Sequence, residues 1–462
     1  MPAVAKALCL GAVILVSLAL APMALAAETP NEDIESIEKV GTISLDDDAV
    51  NPDDMVLVND RYLYIANEGM GDPNRGGSIY VVDVTTNKAI ERLWFDNYPW
   101  FMGGIIVDLY QGENGYIYAS FPDEGHVVVL DPAKPTGEKI VGDFDLKALT
   151  GNPAVYNQSM AIANDTIFIG DDDGNAGIMM LPLDGSSVRT HPLTEDARPF
   201  IPEQLLPLYE TATAEALAVS SDGSFLYVGA YLEMQGTDGR GLFMAYAVAS
   251  DGSLSLVHAM LCERQELIQT IVVTPQHVYA PCFIPTTVEE VDHDVYVFDN
   301  NAGSVTTSGR IDLVRTVQTA FYAPNGLLYI TLQAGDGGAF VVIDPMAGNL
   351  GEVVYEVSNK DDRLVGLAFS ADGTCIYASN LGGGVGSPAA LITIYGLTFA
   401  SEQLEEDSPP SPNPPAPDPN ALPSTGDASG AVLALSCLLA AGGTFLLLFG
   451  ARRICKRFAG CP

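Results

Sequence analysis

Short apolar segments alternate with polar turns along residues 37–404, and one type of segment recurs about every 50 residues. It reads aliphatic, aromatic, then small or aliphatic. The seven copies are Leu63-Tyr64-Ile65, Ile117-Tyr118-Ala119, Ile167-Phe168-Ile169, Leu226-Tyr227-Val228, Val278-Tyr279-Ala280, Leu328-Tyr329-Ile330 and Ile376-Tyr377-Ala378. Short runs of aliphatic and aromatic residues that are bounded by Gly and Asp turns predict β-strands.

Each copy belongs to a unit of the same design. A strand and a tight turn precede it, as in "LAVSSDGSFLYV", and a Gly- and acid-rich loop follows it. A third apolar strand, such as "IYVVDV" or "VYVFDN", and a weaker fourth strand complete the unit. Four strands per unit predict an all-β fold, a seven-bladed β-propeller over residues 37–404. The alternative is a stacked array of β-sandwiches, whose domains need more residues each.

The last unit ends after its third strand, where "LTFASEQLEED" leads into a proline-rich stretch. A strand-like segment, Ile37 to Leu45, precedes the first unit. We expect this segment to pair with the third strand of the last unit, near residues 391–396. Such pairing closes the circle of blades and removes two open sheet edges.

The motifs "YIAN", "YVGA" and "YASN", with a following "IYVVDVTTNKAIERL", resemble YVTN-type propellers and the related lactonase-like family. The resemblance covers nearly all of residues 37–404. It implies the propeller fold but only a broad range of functions, since such propellers include hydrolases, quinoprotein-like proteins and binding modules.

Residues 1–26 have the pattern of a secretory signal peptide. Lys6 precedes an apolar core over residues 7–20, and a small-residue site follows, with cleavage expected after Ala26 or Ala27. The small residues of the cleavage region are Ala24, Ala26 and Ala27. The chain is therefore predicted to be exported.

Near the other end stands "LPSTG", followed by an uncharged apolar stretch and a basic tail. Residues 431–450 are long enough to cross a bilayer as a helix, and residues 451–462 are its positive cytoplasmic side. Placed here, the five residues resemble the LPXTG sorting signal of Gram-positive surface proteins. They are Leu422, Pro423, Ser424, Thr425 and Gly426.

The resemblance implies that a sortase cleaves between Thr425 and Gly426 and links Thr425 covalently to peptidoglycan, so that the helix is only a transient membrane stop. The alternative is a Pro-Gly turn before an ordinary membrane anchor. Residues 405–421 contain the run "SPPSPNPPAPDPN", which favours an extended polyproline II spacer through the wall.

The formal charge of the chain is −38, and the expected mature product, with 16 basic and 58 acidic residues, is near −42. This charge repels nucleic acid and anionic membranes and attracts cations or basic partners, although an acidic surface can also serve solubility alone. The expected mature chain retains Cys262, Cys282 and Cys375, without metal-type spacing. Cys262 and Cys282 would pair if neighbouring strands bring them together.

The loops after the second strands are expected to share one face of the propeller with the connections between blades. Exposed carboxylates and aromatic rings there would form a ligand-binding face. The candidates are Glu68, Trp94, Tyr98, Trp100, Asp123, Glu233, Asp292 and His293. The alternatives are solvated hairpin turns for the acidic loops and packing between blades for the aromatic residues.

The stretch "DDDGN" places Asp171, Asp173 and Asn175 at alternate positions, the oxygen spacing that opens a calcium loop. Pro182 stands where an EF-hand has its final glutamate, so this is no EF-hand. Calcium is therefore a candidate cofactor, with a solvated acidic loop as the alternative.

The sequence has no Gly-x-Ser-x-Gly elbow, phosphate loop or His-Glu-x-x-His helix, so no catalytic residues are predicted. The histidines are scattered; they are His126, His191, His258, His277 and His293. The sequence therefore favours a wall-anchored propeller that recognises an extracellular ligand. The alternatives are a lactonase-like or other surface hydrolase and a quinoprotein-like electron-transfer propeller.

Overall fold

A computed structural model describes the propeller and leaves both chain ends outside. The described residues are 34–45, 52–67, 77–95, 97–99, 101, 104–172, 177–235, 239–263, 266–283, 293–301, 304–313, 316–333, 339–358, 364–380 and 391–400. Among them, no helix is long and apolar enough to span a bilayer. The predicted signal peptide, proline-rich spacer, sorting motif, membrane helix and basic tail all lie outside the described residues.

The described chain is built almost entirely of strands. Those of the first half are β1 (Ile34–Ser44), β2 (Pro52–Val58), β3 (Tyr62–Asn67), β4 (Ser78–Asp83), β5 (Lys88–Trp94), β6 (Leu109–Gln111), β7 (Ile117–Phe121), β8 (His126–Leu130), β9 (Ile140–Asp145), β10 (Asn157–Ala163), β11 (Thr166–Asp171), β12 (Ile178–Pro182), β13 (Arg189–His191), β14 (Tyr209–Val219) and β15 (Phe225–Met234).

The described residues of the second half form further strands. They are β16 (Arg240–Val248), β17 (Leu254–Leu261), β18 (Leu267–Ile268), β19 (Val272–Val273), β20 (His277–Phe283), β21 (His293–Asn301), β22 (Ser304–Leu313), β23 (Thr316–Tyr322), β24 (Leu328–Gln333), β25 (Ala339–Asp344), β26 (Glu352–Ser358), β27 (Leu364–Phe369), β28 (Cys375–Asn380) and β29 (Leu391–Phe399). The described helices are short; they are Leu146–Thr150 and Thr194–Ala197, with 3-10 turns at Arg198–Phe200 and Leu206–Leu208.

These strands form seven antiparallel sheets, which are the blades. Blades 1 to 4 are β2–β5, β6–β9, β10–β13 and β14–β17 in order, and blade 6 is β23–β26. In blade 5 the first strand is split into β18 and β19, both paired with β20, before β21 and β22. Blade 7 is β27-β28-β29-β1. The predicted all-β, seven-bladed propeller is confirmed, and the stacked β-sandwich array is wrong.

The recurring aromatic segment is the second strand of every blade. Its ring is almost completely removed from solvent in each blade, from Tyr64 in blade 1 to Tyr377 in blade 7. The packing lies between blades rather than within one sheet. For example, Phe168 of blade 3 belongs to the same apolar cluster as Leu226 of blade 4. Each blade therefore buries its apolar surface only against its neighbours.

The first strand of the chain closes the ring. β1 pairs antiparallel with β29, with Ile37 opposite Leu397 and Ile43 opposite Ile392. This is the pairing that the incomplete last unit predicts, and it is confirmed. The N-terminal strand thus supplies the outer strand of a blade whose other three strands come from the C-terminal end of the propeller.

Candidate functional site

Strand register places the ends of the predicted acidic loops on one face. The end of the second strand lies opposite the start of the first strand in blade after blade. Examples are Pro52 with Asn67, Asn157 with Asp171, Leu267 with Phe283 and Leu364 with Asn380. First strands begin where the chain enters from the preceding blade. We call this end of the propeller the connection face.

The candidate aromatic residues occupy two different settings near this face. Trp94 ends β5 opposite Ser78 and is half-buried, and the Arg92 guanidinium lies 3.7 Å from the centre of its ring. Tyr98 is half-buried in the connection between blades 1 and 2, with its ring 6.1 Å from the fully buried ring of Phe95. Trp100 lies outside the described residues. Phe95 and Tyr98 therefore take part in packing between blades.

The candidate acidic residues are only partly within the described chain. Asp123 is exposed in the loop between β7 and β8, and its backbone carbonyl accepts a hydrogen bond from Lys147 Nζ at 2.8 Å. Glu233 is half-buried on β15. His293 begins β21, whereas Glu68 and Asp292 lie outside the described residues.

One predicted calcium ligand has a structural task. Asp171 ends β11 and is fully buried, and its Oδ1 accepts a hydrogen bond from the Tyr156 backbone N–H at 3.1 Å. The carboxylate therefore fastens the connection that leads from blade 2 into blade 3. Asp173 and Asn175 lie outside the described residues, and the calcium hypothesis stays a prediction.

A belt of buried polar side chains links the first strands around the ring. Asp54 of blade 1 accepts a hydrogen bond from the Leu109 N–H of blade 2 at 2.8 Å. Asp108 repeats this contact one blade later, because its Oδ2 accepts from the Met160 N–H of blade 3 at 2.9 Å. Both carboxylates are buried, so each replaces water as the partner of a backbone donor.

The belt continues with different chemistry in the next blades. Gln158 of blade 3 donates to a Glu215 carboxylate oxygen of blade 4 at 3.2 Å. Thr319 of blade 6 donates to the Val365 carbonyl of blade 7 at 2.7 Å. Where blade 7 meets blade 1, Gly366 lies so close that an added Cβ would stand 2.2 Å from the Asp53 carbonyl oxygen. Glycine is required at that position.

A cavity of about 10 Å³ adjoins the belt between the first strands of blades 2 to 5, lined by Asp108, Ser159, Gln269 and Thr270 among others. That volume holds about one water molecule.

The described histidines are distributed over the blades. His126 lies 2.7 Å from Asp143, and His191 lies 2.8 Å from Asp196, in each case within or beside its own blade. His258 packs beside Phe298 with ring centres 5.9 Å apart, and burial lowers its pKa. Within the described chain, these three histidines thus serve separate local contacts.

One cluster of metal-type side chains was missed at the level of sequence. The ligand atoms of Cys262, Glu266 and Cys282 lie within 4.8 Å of one another, and all three residues are buried. They sit where blade 4 meets blade 5, and Cys282 is one residue before Phe283, at the end of β20 that contributes to the connection face. The one available signal was the possible pairing of Cys262 with Cys282, and the distance between their sulfur atoms is 3.9 Å.

No protein-family model and no curated protein matches the sequence. The fold is similar to that of the solved chain titled Kuenenia stuttgartiensis Hydrazine Synthase, which is 14% identical with a TM-score of 0.51 over 73% of this chain and 94% of that one. It is also similar to the structure of U3-55K, which is 10% identical with a TM-score of 0.52 over 79% of this chain and 99% of that one. A structure of streptogramin B lyase matches at 11% identity, with a TM-score of 0.49 over 79% of this chain and 98% of that one. At these identities the likeness concerns the fold alone.

Proposed function

We propose that the protein is exported, is linked by a sortase to the cell wall, and binds an extracellular ligand on its connection face. One observation carries the binding part of the proposal. Register brings the ends of the second strands to one face, with the polar belt below it. A face made of loops on a rigid scaffold suits recognition at a surface.

The chemistry of the face favours a cation or a positively charged partner. The chain is strongly acidic, and the exposed Asp123 and the half-buried Glu233 flank loops that contain further carboxylates. Charge of one sign around a mouth raises the local concentration of oppositely charged ligands. The half-buried ring of Trp94, near the same face, adds an aromatic surface.

The two alternative functions, hydrolysis and electron transfer, require other arrangements of side chains or a cofactor. A lactonase-like or other hydrolase requires a base and carboxylates that converge on one substrate position, and an electron-transfer propeller requires a bound redox group. Among the described residues, His126 and His191 are each engaged with an aspartate of their own surroundings. Recognition is therefore the function that the described geometry supports best.

Anchoring is tested by changing single residues of the sorting motif. Thr425→Ala is expected to move the full chain from the cell-wall fraction to the membrane fraction, because the resemblance makes Thr425 the residue that is joined to peptidoglycan. Ser424→Ala is the matched control, since Ser424 stands at the variable position, and it is expected to stay in the wall. Covalent attachment of Thr425→Ala to peptidoglycan would show that the sorting hypothesis is wrong.

Calcium is the probe for the connection face. Adding calcium at about a hundredfold excess over its dissociation constant is expected to stabilise the wild type by about 2.7 kcal/mol, which a thermal melt detects. Asp173→Ala is expected to abolish that rise, and Asp123→Ala, on another loop of the same face, to retain it. Asp171 is left unchanged, because its loss would remove the buried acceptor of the partly buried Tyr156 N–H and destabilise the calcium-free fold by about 1–3 kcal/mol. Equal melting temperatures with and without calcium in the wild type would count against this site.

A further inference from the structure

Two cysteines and a glutamate meet where blade 4 gives way to blade 5. Cys262 follows β17, the outer strand of blade 4, Glu266 precedes β18, and Cys282 lies on β20. Their exposed fractions are 1%, 0% and 0%. Each offers a ligand atom within 4.8 Å of the other two. Three separate segments thus present two sulfur atoms and a carboxylate to one buried point.

The backbone holds these segments in place. The Cys262 N–H donates to the Gly241 carbonyl at 2.9 Å, and the Gly241 N–H donates to the Glu266 carbonyl. Ile268 pairs with Cys282 in the sheet of blade 5. A Cβ on Gly241 would stand 3.0 Å from the Cys262 sulfur, so the glycine makes room for that side chain. The three side chains are therefore carried by strands or by backbone bonded to strands.

The distance between the sulfur atoms distinguishes two uses of the pair. A disulfide joins its sulfur atoms at about 2.05 Å. Two thiolates on a tetrahedral zinc ion, each about 2.3 Å from the metal, stand about 3.8 Å apart. The observed separation of 3.9 Å is too long for a disulfide; it is the contact distance of two unlinked thiols and also fits two ligands of one metal ion. A disulfide would also leave Glu266 without a part in the site.

A tyrosine holds the buried carboxylate of Glu266 in place. The Tyr296 hydroxyl donates to Glu266 Oε2 at 3.0 Å and accepts from the Glu263 N–H at 3.0 Å. Tyr296 therefore orients the carboxylate in the way that an outer residue orients a metal ligand.

We propose that Cys262, Cys282 and Glu266 bind a thiolate-preferring divalent metal ion, of the class of zinc, at the junction of blades 4 and 5. Thiolates select zinc and similar ions over calcium and magnesium. Three protein ligands leave one tetrahedral position for a water molecule or another ligand atom. The site is distinct from the calcium site proposed for the loop after β11, both in place and in ligand chemistry.

A surface groove lies beside this site. A groove of about 420 Å³ runs between the outer strands β17 and β22, and Tyr296 forms part of its wall together with Met260, Glu263 and Arg310. Glu263 and Arg310 form an ion pair at 3.0 Å in the groove. Tyr296 therefore lies between the groove and Glu266, with which its hydroxyl forms a hydrogen bond.

Metal content of the full-length chain tests the proposal. Protein purified under reducing conditions and dialysed with zinc is expected to retain about one zinc ion per chain by elemental analysis. Cys262→Ser and Cys282→Ser are expected to lose it. Cys375→Ser is the matched control, since Cys375 lies on β28 of blade 7, and it is expected to retain the ion. Cobalt(II) added to the wild type is expected to give a thiolate-to-metal charge-transfer band, which does not depend on the folding of any variant.

Tyr296→Phe separates metal binding from a disulfide or simple packing. Loss of the hydroxyl that orients Glu266 is expected to weaken zinc binding by about 10–100-fold in a competition with a chelator, while the thiolate-to-cobalt band remains. Peptide mapping of the unreduced chain that finds Cys262 linked to Cys282, with no metal retained, would overturn the proposal. So would three free thiols at Cys262, Cys282 and Cys375 without zinc or a cobalt spectrum.

Discussion

Deleting residues 34–45 from the full chain is expected to unfold the propeller at temperatures where the wild type is stable. This segment contains β1, which pairs with β29 over its length and is the outer strand of blade 7. It buries Ile37, Ile43 and Leu45. Three aliphatic side chains contribute about 5–9 kcal/mol together. The whole folding free energy of a domain is about 5–15 kcal/mol, so the loss is decisive.

Single substitutions on the same strand make this expectation sharper. Ile43→Ala, which removes a side chain that is 1% exposed, is expected to lower the free energy of unfolding by about 2–5 kcal/mol. Val40→Ala is the control, since Val40 is 63% exposed on the same strand, and it is expected to change stability by no more than about 0.5 kcal/mol. Urea unfolding measures both. A deletion variant that melts within a few degrees of the wild type would show that the ring does not depend on its closing strand.

The fold could be predicted from the sequence because its defining signals are local. Each blade has its own aromatic second strand, so the pattern is recognisable within a single repeat. The rings of Tyr64 and Tyr329, for example, are both buried. The closure could also be predicted, because the last unit lacks a fourth strand and Ile37 to Leu45 has strand periodicity without a unit of its own. Both inferences need only the number of strands and the cost of an open edge.

The polar belt could not be predicted in this way. Asp54 and Asp108 read as ordinary acidic residues, and their burial depends on backbone donors, the N–H groups of Leu109 and Met160, that belong to the next blade. A carboxylate becomes a structural acceptor only when folding brings an otherwise unbonded N–H beside it. The local sequence around either aspartate does not predict which backbone N–H it will bind.

The thiol cluster escaped prediction for a related reason. Known zinc motifs place their cysteines in pairs a few residues apart on one loop. Here Cys262 and Cys282 are on different blades, and Glu266 reaches them from the connecting segment. The site is made by the junction of two repeats, so a search within one repeat does not find it.

The tyrosines of the second strands make the fold sensitive to high pH. Burial raises the pKa of each phenol above its ordinary value near 10; they are Tyr64, Tyr118, Tyr227, Tyr279, Tyr329 and Tyr377. The pKa of Tyr377 is raised to about 12. Blade 3 has Phe168 at the equivalent position, which shows that the strand also accepts a ring without a hydroxyl.

The pH dependence of stability follows from comparing the pKa of each phenol in the folded chain with its pKa in the unfolded chain. A phenol whose pKa is higher in the folded than in the unfolded chain contributes its full stability below pH about 10. As the pH rises above 10, the unfolded chain loses protons that the folded chain keeps, and the free energy of unfolding falls by about 1.4 kcal/mol per pH unit for each such tyrosine. Tyr64, Tyr227, Tyr279 and Tyr329 are all 0% exposed, and together they give about 5 kcal/mol per pH unit.

The propeller is therefore expected to unfold cooperatively between pH about 11 and 13, since a loss of this slope from pH 10 upward exhausts a folding free energy of about 5–15 kcal/mol within one to three pH units. Tyrosinate absorbance and far-ultraviolet circular dichroism should change together in a pH titration. Tyr64→Phe is expected to move the transition to higher pH, because it removes one titrating group at a position where Phe168 shows that phenylalanine fits. Tyr116→Phe, which alters an exposed ring outside the second strands, should leave the transition in place. If the buried phenols ionise near pH 10 while the circular dichroism stays unchanged, the second strands do not exclude water as the structure requires.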